Sequence, residues 1–288
     1  MKLLSFQVGD VASFGAVKDG GVVDLGRRMA AEKISTLRQL LAADAIGAAS
    51  ALVEAHAPDW TLDQITFLPV IPDPEKIICI GLNYHDHVQE TGRTVTEHPV
   101  FFARFPDSQV GHGQPLLKPI ESDDFDYEGE LAVIIGKGGR RIAKDDALAA
   151  IAGYSCYNEG SIRDWQRHTS QFIAGKTFFQ TGSFGPWLVT ADEIPDPTRL
   201  TLETRLNGTV VQRSTTDLLI TDIPALIKYC STIFPLSPGD VIVTGTPGGV
   251  GAKRKPPLWM KDGDIAEVEI SGIGTLRNPV VAERIQGQ

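Results

Sequence analysis

The sequence predicts an α+β fold dominated by strands, a mixed-sheet region preceded by a small N-terminal α/β unit. Three observations lead there. Past residue 70 the β-like runs Lys76 to Gly81, Leu131 to Gly136, Leu200 to Val211, Asp240 to Gly245 and Asp264 to Ile270 outnumber the helical pieces. Only Lys144 to Ala150 and Ile223 to about Ser231 read as helices there, too few to alternate with every strand as a doubly wound sheet requires. Finally, Pro69-Val-Ile-Pro-Asp-Pro-Glu75 carries three prolines and reads as a linker, which divides the chain into residues 1–70 and 71–288.

Within the first unit, the alternation of Leu4, Phe6 and Val8 and the turn Asp19-Gly20-Gly21 predict an opening hairpin. A Leu- and Ala-rich stretch from Thr36 to about His56 predicts one helix, with Ser35 as its N-cap. In the second unit, Asn207-Gly208 marks a hairpin turn inside the Leu200 to Val211 run, and Ile151 to Tyr157 is strand-like.

Composition narrows the function classes. At 288 residues, with 42% hydrophobic and 22% charged residues, the chain has enough apolar material for an ordinary packed core. Its 27 Lys+Arg against 36 Asp+Glu give a net charge of -9, which argues against a phosphate backbone as partner. Apolar runs fall short of the ~20 residues that cross a bilayer, and Asp10 interrupts the start too early for a signal peptide, so a soluble cytoplasmic protein is expected. Cys79, Cys156 and Cys230 are dispersed, which suggests neither a disulfide framework nor a zinc site, and they are expected to be small buried residues.

The most unusual window is Glu121-Ser-Asp-Asp-Phe-Asp-Tyr-Glu-Gly-Glu130, six carboxylates without a cation, directly before the apolar run Leu131-Ala-Val-Ile-Ile135. For Glu121, Asp123 and Asp124 a solvated loop is the plain reading. If a strand begins at Tyr127, however, Glu128 and Glu130 project from one face: either this is a surface strand, or they stand at the edge of a core, where two like charges are costly unless a cation joins them. Hard oxygen ligands without a His or Cys cluster favour Mg, Mn or Ca over zinc. Glu159, at the end of the Ile151 to Tyr157 strand, offers a third carboxylate, whereas Arg163 and Asp164 read as a structural ion pair.

Two further segments carry chemistry. In Gly81-Leu-Asn-Tyr-His-Asp-His-Val-Gln-Glu90, a helix would put His87 and Glu90 three apart on one face, where the carboxylate raises the basicity of the imidazole and suits it to activating water. The stretch Tyr84 to Pro99, with Gly92 near its centre and few apolar anchors, is expected to be a mobile lid. The loop Thr244-Gly-Thr-Pro-Gly-Gly-Val-Gly251 lacks both the P-loop ending and dinucleotide spacing, but its backbone N–H groups suit an anion such as a substrate carboxylate. No Gly-x-Ser-x-Gly elbow or activated cysteine points to covalent catalysis.

The ordered set Gly81 to Glu90, Asp126-Tyr-Glu-Gly-Glu-Leu-Ala-Val-Ile-Ile-Gly136, Ser161-Ile-Arg-Asp-Trp-Gln166, Gly175-Lys176, Phe184-Gly-Pro-Trp187 and Gly245-Thr-Pro-Gly-Gly-Val-Gly251 resembles the fumarylacetoacetate hydrolase family. The resemblance runs from about residue 75 to 283 and does not extend into residues 1–70. It implies a fumarylacetoacetase C-terminal-like roll of mixed sheets, a homodimer or dimer-based oligomer, and a Mg2+ ion, with Mn2+ as a substitute, held by Glu128, Glu130 and Glu159. Glu159 departs from the Asp usual at that position. The resemblance further implies His87 and Glu90 as the base dyad, Lys176 and Gln166 as donors to an oxyanion, and Tyr84, Arg104 and Thr246 as substrate contacts, Arg104 standing where many members have Lys. The activity it implies is hydrolysis of a carbon-carbon bond in a 2,4-dioxo acid, giving pyruvate and a carboxylic acid. Asn158-Glu-Gly-Ser161 with Arg167-His-Thr169 resembles the branch acting on 2,4-dioxo-3-deoxy sugar acids such as the deoxyrhamnonate derivative. A 2-oxo-acid decarboxylase or hydroxy-dienedioate isomerase is the alternative within the family, and a non-catalytic 2-oxo-acid binding protein the one outside it.

Overall fold

In the computed structural model, which describes residues 1–284, the strand Gly129–Ile135 is buried at every position and forms the centre of the molecule. Its sequence carries no polar residue after Glu130, and its side chains alternate between two cores. Leu131, Val133 and Ile135 pack on one side with Leu226, Ile227 and Cys230 of the helix Ile223–Ile233 and with Leu202, Val268 and Leu276 of a second sheet. Ala132 and Ile134 pack on the other side against Leu3, Leu37 and Leu40 from the N-terminal region. Both faces of the strand are therefore covered, as a continuous apolar run requires.

Pairing around this strand is mixed. Gly129–Ile135 lies antiparallel to Ile151–Asn158 and to Val241–Val243, while Val241–Val243 runs parallel to Ile77–Gly81. Val100–Arg104 closes that edge, antiparallel to Ile77–Gly81. Among the described residues this sheet has twelve strands, and a second has five, built on Thr201–Leu206, Thr209–Thr215, Ile265–Ile270 and Gly274–Ala282 with Leu116–Lys118. The expected strand-dominated α+β fold is what the chain adopts.

Residues 1–70 join the large sheet through Lys2–Val8, which pairs with Gly182–Thr190 so that Leu3 faces Leu188. The opening hairpin is present, and Asp19 and Gly20 turn with φ of 47° and 75°, the left-handed pair that matches strand twist. The helix expected from Thr36 to His56 is instead two, Leu37–Ala42 and Ile46–Ala55. Asp44 between them has φ 52°, a conformation short polar side chains tolerate and a continuous helix does not. The cap is Thr36 rather than Ser35, its side chain accepting from the Gln39 N–H. The piece Lys144 to Ala150 forms two 3-10 turns, Lys144–Asp146 and Leu148–Ala150, being too short for an α-helix to hold alone. All three cysteines are free and buried, as expected.

Asp240 ties the parallel strand pair together. Its fully buried carboxylate accepts from the Lys76 N–H at 3.0 Å, the Lys76 ammonium at 2.8 Å and the Ser237 N–H at 2.8 Å. Asp240→Ala is expected to cost about 2 to 4 kcal/mol by orphaning these donors, and Asp240→Asn less, as read from chemical denaturation midpoints. Equal stability of Asp240→Ala and the parent chain would contradict this role.

Candidate active site

The clustered carboxylates are delivered by the ends of two adjacent strands. Glu128 immediately precedes Gly129–Ile135, Glu130 is its second residue, and Glu159 follows the last residue of Ile151–Asn158. The strand thus starts two residues later than Tyr127, because the Glu128 N–H turns to the Asn158 Oδ1 at 3.0 Å while its carbonyl accepts from the Glu159 N–H at 2.8 Å. That exchange clasps Glu128 and Glu159 side by side. Ligand oxygens of Glu128, Glu130 and Glu159 lie within 4.8 Å of one another, and the residues are 3%, 1% and 1% exposed.

Two buried cations meet this cluster. The Lys176 ammonium donates to Glu128 and, at 3.0 Å, to Glu159 Oε2. Arg163 donates from Nη2 to Glu128 Oε1 at 2.6 Å, from Nε to Asp126 Oδ2 at 2.7 Å and from Nη1 to Gln166 Oε1 at 3.0 Å. Four carboxylates (Asp126, Glu128, Glu130, Glu159) against the two cations that touch them leave two negative charges in a buried site. The imbalance falls on Glu130. Burial, then the neighbouring Glu159 and Glu128, push its carboxyl well above the usual carboxylate range. Burial acts on Glu128 too, but Arg163 and Lys176 outweigh it and hold that carboxyl below its ordinary value. Burial alone would lower the Lys176 pKa, and Glu128 and Glu159 raise it above that of a free lysine.

The residues present fit a divalent cation. Glu159 Oε1 is buried without a hydrogen-bond partner, two negative charges are unmatched, and the donor set is entirely hard oxygen.

His87 and Glu90, the pair expected to act as a base, sit on a short helix. Helix His85–Thr91 follows the strand Ile77–Gly81 and ends at Gly92 with φ 70°. His87 Nδ1 lies 2.7 Å from Glu90 Oε1, and Glu90 Oε2 accepts from the Gly249 N–H at 2.8 Å. With Nδ1 turned to the carboxylate, Nε2 is the basic nitrogen. His87 lines a cavity of about 620 Å³ together with Glu128, Glu130, Glu159, Gln166, Lys176 and Thr246.

Part of the glycine loop holds carboxylates of the protein itself: the Gly245 N–H donates to Glu130 Oε2, Gly249 to Glu90 Oε2, and Gly251 and the following Ala252 to Asp126. Gly249 has φ 102°, and a Cβ there would sit 2.4 Å from the Val211 carbonyl, so only glycine makes this contact. Thr246 lines the cavity, and its hydroxyl donates to the Gly129 carbonyl at 3.0 Å and accepts from Gln212 Nε2 at 2.8 Å.

Two expected substrate contacts lie away from the cavity wall. Arg104, 2% exposed, donates to the Gly160 carbonyl at 2.8 Å and Thr181 Oγ1 at 3.2 Å, bracing the turn that follows Glu159. Tyr84, 1% exposed, bridges to Leu219 with its hydroxyl buried and unpartnered. The sequence reading also mispaired Arg163. Asp164 accepts instead from the Ser122 hydroxyl at 2.6 Å, and Arg163 turns into the site. The signal was available: six carboxylates without a local cation require one from elsewhere, and Arg163 directly follows the buried pair Ser161–Ile162.

With the site assembled, its kinship is plain. Residues 76–281 match the model of the fumarylacetoacetate (FAA) hydrolase C-terminal domain. The chain belongs to the fumarylacetoacetate hydrolase family. It is 39% identical over 289 residues to the mitochondrial oxaloacetate tautomerase fahd2 of Xenopus laevis, covering 98% of this chain and 90% of that protein. Its identity to the oxaloacetate tautomerase Fahd2a of Rattus norvegicus is 40%, covering 91% and 84%. Among solved structures, fumarylacetoacetate hydrolase from Exiguobacterium antarcticum superposes with a TM-score of 0.82 at 34% identity, covering 98% of this chain and 100% of that one. Maleylpyruvate hydrolase from Sphingobium sp. SYK-6, with manganese(II) and pyruvate, gives 0.82 at 28% identity, covering 99% and 100%.

Calorimetric titration with Mn2+ tests the glutamate cluster. Glu159→Ala is expected to weaken binding by about tenfold or more, whereas Glu159→Asp, which keeps the oxygen ligand, should lose less. Equal loss in both variants would mean that the reach of the longer arm is itself required.

Proposed function

We propose that the chain is a metal-dependent hydrolase that cleaves a carbon-carbon bond of a 2,4-dioxo acid, releasing pyruvate and a carboxylic acid. The observation that carries this reading is the His87–Glu90 pair, fixed by the Gly249 N–H and facing the same cavity as three glutamates and Lys176. Hydrolysis needs an activated water, and a carboxylate-oriented imidazole supplies that base.

Held by Glu128, Glu130 and Glu159, a divalent cation would polarise the 2-oxo and carboxylate oxygens of the substrate. His87 Nε2 takes a proton from water, whose oxygen bonds to the distal carbonyl carbon, and Glu90 stabilises the resulting imidazolium. Lys176 has three N–H donors, of which two serve Glu128 and Glu159, so the third is available to the oxyanion. Arg163 occupies the carbonyl end of the Gln166 amide and leaves the NH2 end as a second donor. Collapse of the adduct breaks the carbon-carbon bond, its electron pair passes to the pyruvate enolate, and His87 returns the proton to carbon.

A second reading is keto-enol interconversion of oxaloacetate, favoured by the names of the Xenopus and rat relatives. It needs the same base to carry a proton between carbon and oxygen, without water. A panel with Mg2+ separates the two: pyruvate release from acylpyruvates and a 2,4-dioxo-3-deoxy sugar acid marks the hydrolase, decay of enol absorbance of oxaloacetate the tautomerase. Activity on neither would remove both. We further take the protein to be a cytoplasmic homodimer with residue 70 as the boundary of its small N-terminal unit; no helix of the described residues is long and apolar enough to cross a membrane.

His87→Ala is expected to lower turnover by ~100-fold or more, while binding of oxalate, which mimics the pyruvate enolate, survives because the glutamates are untouched. Loss of oxalate binding as well would make His87 a structural residue. Amide hydrogen exchange tests the lid: residues 85 to 98 should gain protection when oxalate and Mg2+ are added. Full protection in the free protein would mean that the base is preformed.

A further inference from the structure

The five-stranded sheet sends one polar side chain into the glutamate cluster. On Thr209–Thr215, Gln212 stands opposite Thr204, and the next pair in register is Val210 with Arg205, so Val211 is an extra residue bulged out of the ladder. Val211 and Gln212 are both buried, a break in the alternation of that strand. The bulge turns Gln212, 2% exposed, toward Gly129, the residue between Glu128 and Glu130.

Gly129 needs such a partner. It faces Asn158 across the antiparallel ladder, and its own N–H and C=O turn to the other edge. There the pairing with Val241–Val243 reaches only to Ala132 opposite Val243, because the neighbouring chain then leaves as the glycine loop. Two buried side chains stand in for the missing strand. Gln212 Oε1 accepts from the Gly129 N–H at 2.9 Å, and the Thr246 hydroxyl donates to the Gly129 carbonyl at 3.0 Å. Gln212 Nε2 closes the ring, donating to Thr246 Oγ1 at 2.8 Å and to the Pro247 carbonyl at 2.9 Å. Both hydrogens and the oxygen of the amide are thereby used. A Cβ on Gly129 would overlap Thr204 Oγ1, so a glycine is what lets the second sheet approach this closely.

The Gly129 N–H belongs to the peptide that leaves Glu128, and its carbonyl to the peptide that enters Glu130. Holding both planes fixes how the two carboxylates stand to each other, against their mutual repulsion. We infer that Gln212 is a positioning residue: together with Thr246 it clamps the backbone of Gly129 and so sets the spacing of Glu128 and Glu130 for a divalent cation. This rests on the reading of Glu128, Glu130 and Glu159 as the ligands of that cation. Gln212 acts through the backbone between two ligands, and its amide has no atom left for the ion.

Calorimetric titration of the full chain with Mn2+ tests the clamp. Gln212→Met, which keeps the length without the amide, and Gln212→Asn, which keeps the amide on a shorter arm, should each weaken binding by about tenfold or more, the scale for groups that orient metal ligands. Thr246→Val should do the same, whereas Thr246→Ser, which keeps the hydroxyl, should bind like the parent chain. Since the two side chains act as one unit, the double variant Gln212→Met with Thr246→Val should bind no more weakly than the poorer of the two single variants. Asp240→Ala separates this from a general loss of stability. Asp240 lies at the far end of the same strand pair, its carbonyl accepting from the Ile135 N–H at 2.9 Å, so its removal should leave Mn2+ affinity within about twofold of the parent. Parent-like affinity in the Gln212 variants, additive losses in the double variant, or an equal loss in Asp240→Ala would overturn the positioning role while leaving the cation reading intact. If the parent chain itself binds no Mn2+, the cation reading fails and the clamp falls with it.

Discussion

Burying more negative than positive charge at the end of an apolar strand is the constraint around which this protein is organised. Four carboxylates and two touching cations are buried together, and ionised groups there are costly unless matched. Glu130 has no cation partner and Glu159 an orphaned oxygen, so a divalent ion held there would supply the missing positive charge. The same excess explains the two cations already present: Arg163 and Lys176 both pair with Glu128 and hold its carboxyl below its ordinary value.

The rest of the architecture keeps those charges in register. Gly129–Ile135 is anchored by apolar packing on both faces, so its polar N-terminal end is fixed by residues that never see the cavity. The glycine loop then ties three otherwise independent carboxylates, Glu90, Asp126 and Glu130, through its backbone. Glu90 pairs with His87 and Glu130 belongs to the glutamate cluster, so one loop sets the distance between the His87–Glu90 pair and the glutamates. Gln212 reinforces it, holding the Gly129 N–H, Thr246 and Pro247 together.

Much of this was legible in the sequence because the pattern is local. Carboxylates two apart before a continuous apolar run, and His87 and Glu90 three apart on a helix, follow from strand and helix periodicity alone. What escaped depended on contacts between distant segments. Arg163 lies next to Asp164 in sequence but pairs with Asp126 and Glu128, since the buried strand Ser161–Ile162 turns its guanidinium inward. Arg104 looked like a substrate fork, yet its donors complete buried carbonyl and hydroxyl groups near Glu159. The carboxylates that take up the Gly245, Gly249 and Gly251 N–H groups come from distant segments, and a sequence does not show which acceptors will fold against a loop. The helix break at Asp44 was hidden for another reason, that alanine-rich flanks mask a single residue in the left-handed region.

The most direct test of the central claim is an anomalous difference map from crystals of the protein soaked in Mn2+. The charge argument places one peak per chain among the carboxylates of Glu128, Glu130 and Glu159, at roughly 2.0 to 2.3 Å from oxygen ligands. A map without a peak there, or with its strongest peak elsewhere in the molecule, would contradict the account.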